Sequence, residues 1–380
     1  MYIKRFAPLE RELRKHSVLL LGPRRTGKTA FVRNQLPESK VYDLLKADVF
    51  LRLSQRPQSI REALGPADQL IVIDEIQKLP KLMDEVHVMI EESGVRFLLT
   101  GSSARKLKRS HTSLMGGRAR VRFLHPFISA EFANFDLKRA LAFGMLPPIA
   151  LSDDPREELQ NYVGTYLQEE IKAEALSRNI EGFSRFLHQA ALWAGEVVNF
   201  EAIGRDSQVP ARTVREYFTV LEDTLVGKLL KPMKTRGKRK AISHAKCYFF
   251  DLGVMQALTG EMDPQPGTTA YGKSLEHFVW QELAAYKSYF ARDQPLNFWR
   301  DIHGAEVDFV LSEKVAIEVK STVAVHDRHL KGLHQIMEQD DYEIQRRMVV
   351  CLEPERRRVG QIEIVPVGEF LQELWSQRLL

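Results

Sequence analysis

Apolar and polar positions follow two different rhythms along this chain. In the first third, short runs rich in Val, Ile and Leu (Ser17–Leu21, Lys40–Leu44, Gln69–Ile73 and Arg96–Thr100) predict buried strands. The stretches between them carry helical spacing, so the pattern is βαβ and predicts a parallel sheet covered on both faces. This core is expected to span residues 1–135. Residues 136–180 are acidic and helical, punctuated by Leu146-Pro147-Pro148 and Ser152-Asp153-Asp154-Pro155, and are expected to form a lid or linker. A compact run of helices follows from Phe183 to Leu230, then a basic and strand-like stretch to Phe250, giving a third module over 181–250. After the Pro- and Gly-rich loop Asp263–Gly267 the pattern becomes α+β, so residues 251–380 form the fourth part. No internal repeat is evident.

Composition changes this picture little. The 380 residues are 44% hydrophobic and 28% charged, as in ordinary globular proteins. No apolar run approaches the roughly 18 residues of a membrane helix, and no signal peptide is evident. Cys247 and Cys351 are far apart and form no metal-like pair, which points to a reducing cytoplasm and away from a zinc site. The net charge of +5 is small, but its distribution is not even. Lys228 to Lys246 contains eight Lys or Arg residues and no Asp or Glu, an excess that suits a polyanion such as nucleic acid.

Two motifs carry candidate phosphate chemistry. Gly22-Pro23-Arg24-Arg25-Thr26-Gly27-Lys28-Thr29 matches GxxxxGK[ST] between a strand and a helical stretch, the context in which backbone N–H groups cradle phosphates. Lys28 is expected to neutralise the β/γ-phosphates of ATP, and the Thr29 hydroxyl to ligate Mg²⁺. Leu70-Ile-Val-Ile-Asp74-Glu75 supplies the second half, with Asp74 supporting Mg²⁺ and Glu75 polarising the attacking water. The bland reading is a degenerate nucleotide site kept for structure. Ser102, at the end of the next strand, is either a sensor of the γ-phosphate or a helix N-cap. Arg118, after Gly116-Gly117, is either a finger acting on a neighbouring copy's nucleotide, which requires an oligomer, or a surface residue.

In the middle module, Val198–Ala202 and Ser207–Thr213 suggest a helix, a turn and a second helix starting near Pro210. Arg212 and Arg215 share a face away from the core positions Val214, Phe218 and Leu221, the layout of a recognition helix in a winged helix-turn-helix. Lys234, Arg236, Lys238, Arg239 and Lys240 would then form a wing touching DNA phosphates. The alternatives are a protein-binding winged helix and a merely solvated basic loop. In the last part, Glu306-Val-Asp308 and Ile317-Glu318-Val-Lys320 read as a hairpin on which Asp308 and Glu318 can meet and Lys320 shares the face of Glu318. Two carboxylates can hold Mg²⁺ and a Lys can orient or deprotonate water, as in phosphodiester hydrolysis. Glu276, on the helical stretch Ser274–Leu283, is a third acidic candidate. His303, His326 and His329 lack ligand spacing.

The series GPRRTGKT, LIVIDEIQK, LLTGSSARKL, GGRARV and HPFISAEF, continued by LEDT (221–224), KCYFFDLGV (246–254), EVDFVL and IEVK, resembles a family of AAA+ ATPases common in bacteria and archaea. The resemblance covers nearly the whole chain. It implies a P-loop AAA+ α/β sheet, a winged helix, and a C-terminal α+β domain that looks like the PD-(D/E)XK nuclease fold, where Glu276 matches the helix-borne acidic residue. The expected function is that of a DNA-acting ATPase with a metal-dependent nuclease-like domain. The rival is a switch ATPase whose C-terminal domain binds a protein partner and does not cut.

Overall fold

The computed structural model describes residues 2–65, 69–103, 118–167, 180–234, 244–301, 303–338 and 343–380. The chain divides into two compact units, one of Met1–Phe127 with Val220–Val226, the other of Ile128–Thr219 with Gly227–Leu380.

The first unit is built on β1 (Ser17–Leu21), β2 (Lys40–Asp43), β3 (Leu70–Asp74), β4 (Arg96–Gly101) and β5 (Ala119–Phe123). They form a parallel sheet in the order β2-β3-β4-β1-β5. Helix α1 (Lys28–Gln35) follows β1, and α2 (Leu82–Ser93) lies between β3 and β4. Strand β1 is buried at every position, and β3 and β4 at all but their first, as expected where crossover helices cover both faces. Leu19, Leu21, Ile71, Ile73, Phe97 and Leu99 join Val86 and Met89 of α2 in one core. Because β4 separates β1 from β3, the ends of β1, β4 and β3 lie side by side. Ligands of open parallel sheets bind at such carboxyl ends.

In the second unit, α3 (Ile180–Leu192), α4 (Phe200–Ser207) and α5 (Ala211–Asp223, counted with the first unit from Val220 on) precede an antiparallel pair, β6 (Gly227–Leu230) and β7 (Lys246–Phe249). Asn199 caps α4 by accepting from the Ala202 N–H, and Phe183, Phe186 and Phe218 pack in a buried aromatic group. Beyond α6 (Leu252–Thr259) and the long α7 (Thr269–Tyr289) comes a mixed sheet. It comprises β8 (Leu296–Arg300), β9 (Glu306–Leu311), β10 (Val315–Lys320), β11 (Arg346–Cys351), β12 (Arg357–Val359) and β13 (Ile362–Pro366), in the order β12-β13-β11-β10-β9-β8. Strands β9 and β10 are antiparallel, with Phe309 opposite Ile317, whereas β10 and β11 are parallel. Lys231 and Met233, just past β6, bond to Phe298 of β8, so β6 and β7 are fastened beside this sheet. Among the described residues, no helix is long and apolar enough to cross a membrane. Cys247 and Cys351 are both buried.

Candidate functional site

The loop between β1 and α1 is shaped by its own chemistry. Gly22 admits no side chain, since a Cβ there would stand 2.6 Å from the Leu124 carbonyl oxygen. Arg25 and Gly27 both adopt left-handed backbone, which Gly27 does without a steric cost. The Thr26 hydroxyl donates to the Pro23 carbonyl at 2.9 Å, inside the loop. Lys28 opens α1 and is buried; its Nζ donates to the carbonyls of Gly22 (2.7 Å) and Pro23 (3.0 Å). Arg24 is half-buried on the loop.

The next residue links the loop to β3. The Thr29 hydroxyl donates to Asp74 Oδ2 at 2.8 Å, and the Thr100 hydroxyl of β4 donates to Asp74 Oδ1. Asp74 is 1% exposed. Glu75 follows with φ 61°, and its N–H donates to Thr100 Oγ1 at 3.1 Å. Gln77 Nε2 donates to Glu75 Oε2 and to Ser102 Oγ (3.0 Å), while Ser102 Oγ lies 3.5 Å from the same Glu75 oxygen. The fold therefore brings Lys28, Thr29, Asp74, Glu75 and Ser102 to the ends of adjacent strands. Arg118 is not drawn in; it pairs with Glu91 of α2, Nε to Oε1 at 2.7 Å.

The candidate DNA-binding residues are placed less tightly. Arg212 is exposed, 3.5 Å from Glu216 one turn on. Arg215 pairs with Glu201 at 3.0 Å and stacks over the Phe200 ring, 4.9 Å from its centroid. Lys234 is exposed, and Arg236, Lys238, Arg239 and Lys240 lie outside the described residues.

In the second unit, β9, β10 and α7 bring Glu276, Asp308, Glu318 and Lys320 into one cluster. Asp308 Oδ2 accepts the Val319 N–H at 2.8 Å, and Lys320 Nζ pairs with Glu318 Oε1 at 2.6 Å. Glu318 Oε2 is buried with no hydrogen-bond partner. Burial, then the Asp308 charge, pushes the Glu318 carboxyl up to about 8 against the pull of Lys320. A second lysine stands among these carboxylates. Lys246 of β7 approaches Glu276 Oε1 (3.4 Å), Asp308 Oδ1 (3.8 Å) and, closest, Glu306 Oε1. Tyr248 donates to Glu276 Oε1 at 2.6 Å. Burial pulls the Lys246 ammonium down, but Glu276, Asp308 and Glu306 together carry it well above the usual lysine range. Burial raises Glu276 to about 7, with Lys246 and the Tyr248 hydroxyl opposing. Among the described residues, no group of three or more His, Cys, Asp or Glu is disposed to hold a metal ion.

Comparison with known proteins supports a coarse assignment. Residues 14–133 match a family model described as AAA domain. That match takes in all five strands of the parallel sheet, β1 to β5. Residues 134–265 match a domain of unknown function (DUF8612), and residues 271–370 match another (DUF4143). No curated protein matches the chain. Among solved structures, a similar chain comes from the structural basis for DNA unwinding at forked dsDNA by two coordinating Pif1 helicases. The two are 13% identical with a TM-score of 0.24, and the match covers 47% of this chain and 59% of that one. The present chain thus spans less than two thirds of that helicase chain's length.

Sequence reasoning missed several residues at both places. In the first unit, the Arg5 guanidinium donates to the carbonyls of Thr26 (2.5 Å), His125 (2.7 Å) and Pro126 (3.0 Å), tying the segment before β1 to the loop between β1 and α1. Burial, then the Arg5 charge, lowers His125 to about 4. Gln77 was visible as part of the LIVIDEIQK run, though its partners were not. Lys246 was legible as the last residue of the basic run from Lys228 and, with Tyr248, as a member of KCYFFDLGV; its carboxylate partners were not.

Proposed function

We propose that the chain hydrolyses ATP at the AAA domain and couples this turnover to DNA. The observation that carries the ATPase reading is the direct hydrogen bond from Thr29 to Asp74, with Glu75 held beside Thr100 and Ser102. Lys28 would leave the loop carbonyls for the β/γ-phosphates, while loop N–H groups take their oxygens. Thr29 and Asp74 supply the hydroxyl and carboxylate expected of an Mg²⁺ site, and the ion would neutralise phosphate charge. Glu75 accepts a proton from water as its oxygen attacks the γ-phosphorus and the bond to ADP breaks. Ser102 and Gln77 orient Glu75, and Arg118 is available to a neighbouring copy only on leaving Glu91.

The DNA reading rests on the basic segment from Lys228 to Lys246 and on three helices followed by an antiparallel strand pair, as in a winged helix. We assign residues 1–135 to the ATPase core, 136–180 to a lid or linker, 181–250 to the winged helix and 251–380 to a nuclease-like domain. That last part has the helix α7 followed by three antiparallel strands, β8 to β10, with β11 parallel to β10. Its carboxylates do not fit a divalent ion as arranged, because Lys246 already stands between Glu276, Glu306 and Asp308. One observation favours the switch reading, in which a protein partner replaces DNA: Arg212 and Arg215 already face Glu216 and Glu201.

The test is steady-state ATP turnover with single-stranded, duplex, forked and four-way DNA, strand integrity being followed in the same samples. Glu75→Gln is expected to lower kcat by about 10²–10⁴-fold while nucleotide still binds. Stimulation by a DNA shape supports the DNA reading, whereas a rate indifferent to every DNA favours a protein partner. Turnover at the wild-type rate in Glu75→Gln removes Glu75 from the chemistry.

A further inference from the structure

Lys246 is one of the least expected residues in the second unit. A lysine ammonium is rarely buried, and an uncompensated one costs several kcal/mol. Here the side chain is 3% exposed, and its charge is met by three carboxylates from two elements, Glu276 of α7 and Glu306 and Asp308 of β9. The position is fixed from behind. Lys246 pairs with Leu230 across β6 and β7, it bridges to Val197, and β6 runs into the residues bonded to Phe298 of β8. The Phe298 ring lies under the ammonium, 5.6 Å from its centroid. Tyr248, two residues along the same strand, holds the shared Glu276 oxygen. Carboxylate oxygens are the donors a hard cation takes, but around Lys246 they stand at ion-pair distances and are not disposed to hold a metal ion as they are. The place between them is taken by the chain's own nitrogen.

We propose that Lys246 is the resident cation of this cluster, so that the second unit excludes divalent ions from Glu276, Glu306 and Asp308 for as long as β7 stays paired. A divalent ion at that focus would sit within bonding distance of an ammonium, and their repulsion in a buried site forbids joint occupancy. Neutralising position 246 converts the same oxygens, with the unpartnered Glu318 Oε2 beside them, into a divalent-cation site. This inference does not depend on the ATPase reading.

The experiment is Mn²⁺ titration of the full chain without nucleotide, followed by electron paramagnetic resonance, in an Asp74→Asn background that removes the AAA-domain ligand. With Lys246 intact, no saturable binding is expected below ~1 mM Mn²⁺. With Lys246→Met added, one ion per chain is expected, and it is lost again when Asp308→Asn is combined. Saturable binding that needs Asp308 while Lys246 is present overturns the proposal. So does a folded Lys246→Met chain that binds no Mn²⁺. Should Lys246→Met and the milder Lys246→Gln both fail to fold, the lysine-bearing chain decides alone, by Asp308-dependent binding or its absence.

Discussion

Glu75 is held in an uncommon way for the residue proposed to take a proton. It adopts left-handed backbone, which costs a non-glycine residue on the order of 1 kcal/mol. Its N–H is fixed by Thr100, and its carboxylate is held by Gln77 and faces Ser102. Gln77 is buried, and a Cβ on Gly101 would stand 2.8 Å from Gln77 Oε1, so glycine at 101 leaves room for the amide. We therefore propose Gln77 as a positioning residue: its amide holds Glu75 and Ser102 and so sets where the Glu75 oxygens point. Gln77→Ala is expected to lower kcat by about tenfold to a hundredfold with little change in KM, as misplaced catalytic groups do. Steady-state kinetics over an ATP range separates the two constants. A KM rise with unaltered kcat would assign Gln77 to binding instead.

At the scale of elements, α7 is docked through polar contacts from one side of its sequence to the other. Glu276 meets Lys246 and Tyr248, the His277 Nε2 lies 2.8 Å from the Phe249 carbonyl, Gln281 accepts from the Leu252 N–H, and Glu282 accepts from Ser129 and Trp375. Burial lowers His277 to about 4, with the Phe249 contact opposing. In the unfolded chain it titrates near 6.5, so the folded state binds fewer protons between these values. The stability it contributes is complete above pH ~6.5 and is lost as pH falls through about 4. His277→Gln keeps an N–H donor for Phe249 and cannot protonate. Relative to that variant, the wild-type chain should lose about 2–3 kcal/mol between pH 7 and pH 4.5. Urea melts followed by tryptophan emission read this, since Trp280 packs against His277. Parallel pH profiles in the two proteins would place the acid sensitivity elsewhere.

The same elements show what the amino-acid pattern discloses. The four runs read as strands became β1 to β4 within a residue or two; β1, β3 and β4 are legible because strands buried on both faces must be continuously apolar, whereas β2 buries only Tyr42 and lies at the sheet edge. The β9–β10 pair was equally legible from its alternation. The partners of Lys246 were not, since they lie 30 or more residues away and meet it only once β7 is paired beside the sheet. Arg5 was hidden for the same reason: a lone Arg before a strand has no period, and its carbonyl partners lie up to 121 residues away. Local patterns announce motifs whose members are neighbours in sequence, whereas buried charge pairs are written in topology.

At the scale of the whole molecule, the question is what the proposed ATPase cycle acts on. Charge bears on it more directly than shape. The net charge of the chain is only +5, yet eight basic residues and no acidic ones fall between Lys228 and Lys246. One of them, Lys246, is consumed by its three carboxylates, so the excess open to a polyanion comes from the remainder. Arg212 and Arg215 have carboxylates facing them already, which shifts the expected DNA contact from the helix to Lys234, Arg236, Lys238, Arg239 and Lys240. Such side chains touch phosphates and carry little sequence information, so binding should depend on salt more than on sequence. Reversing Lys238, Arg239 and Lys240 to Glu should lower the slope of log affinity against log salt by about 1 for each phosphate no longer neutralised, and weaken all sequences alike. The measurement is DNA affinity across a salt series, read beside DNA-stimulated ATP turnover in the same preparation. If the triple reversal leaves slope and stimulation where they were, the basic segment is a solvated face, and the cycle of the AAA domain works on a protein partner.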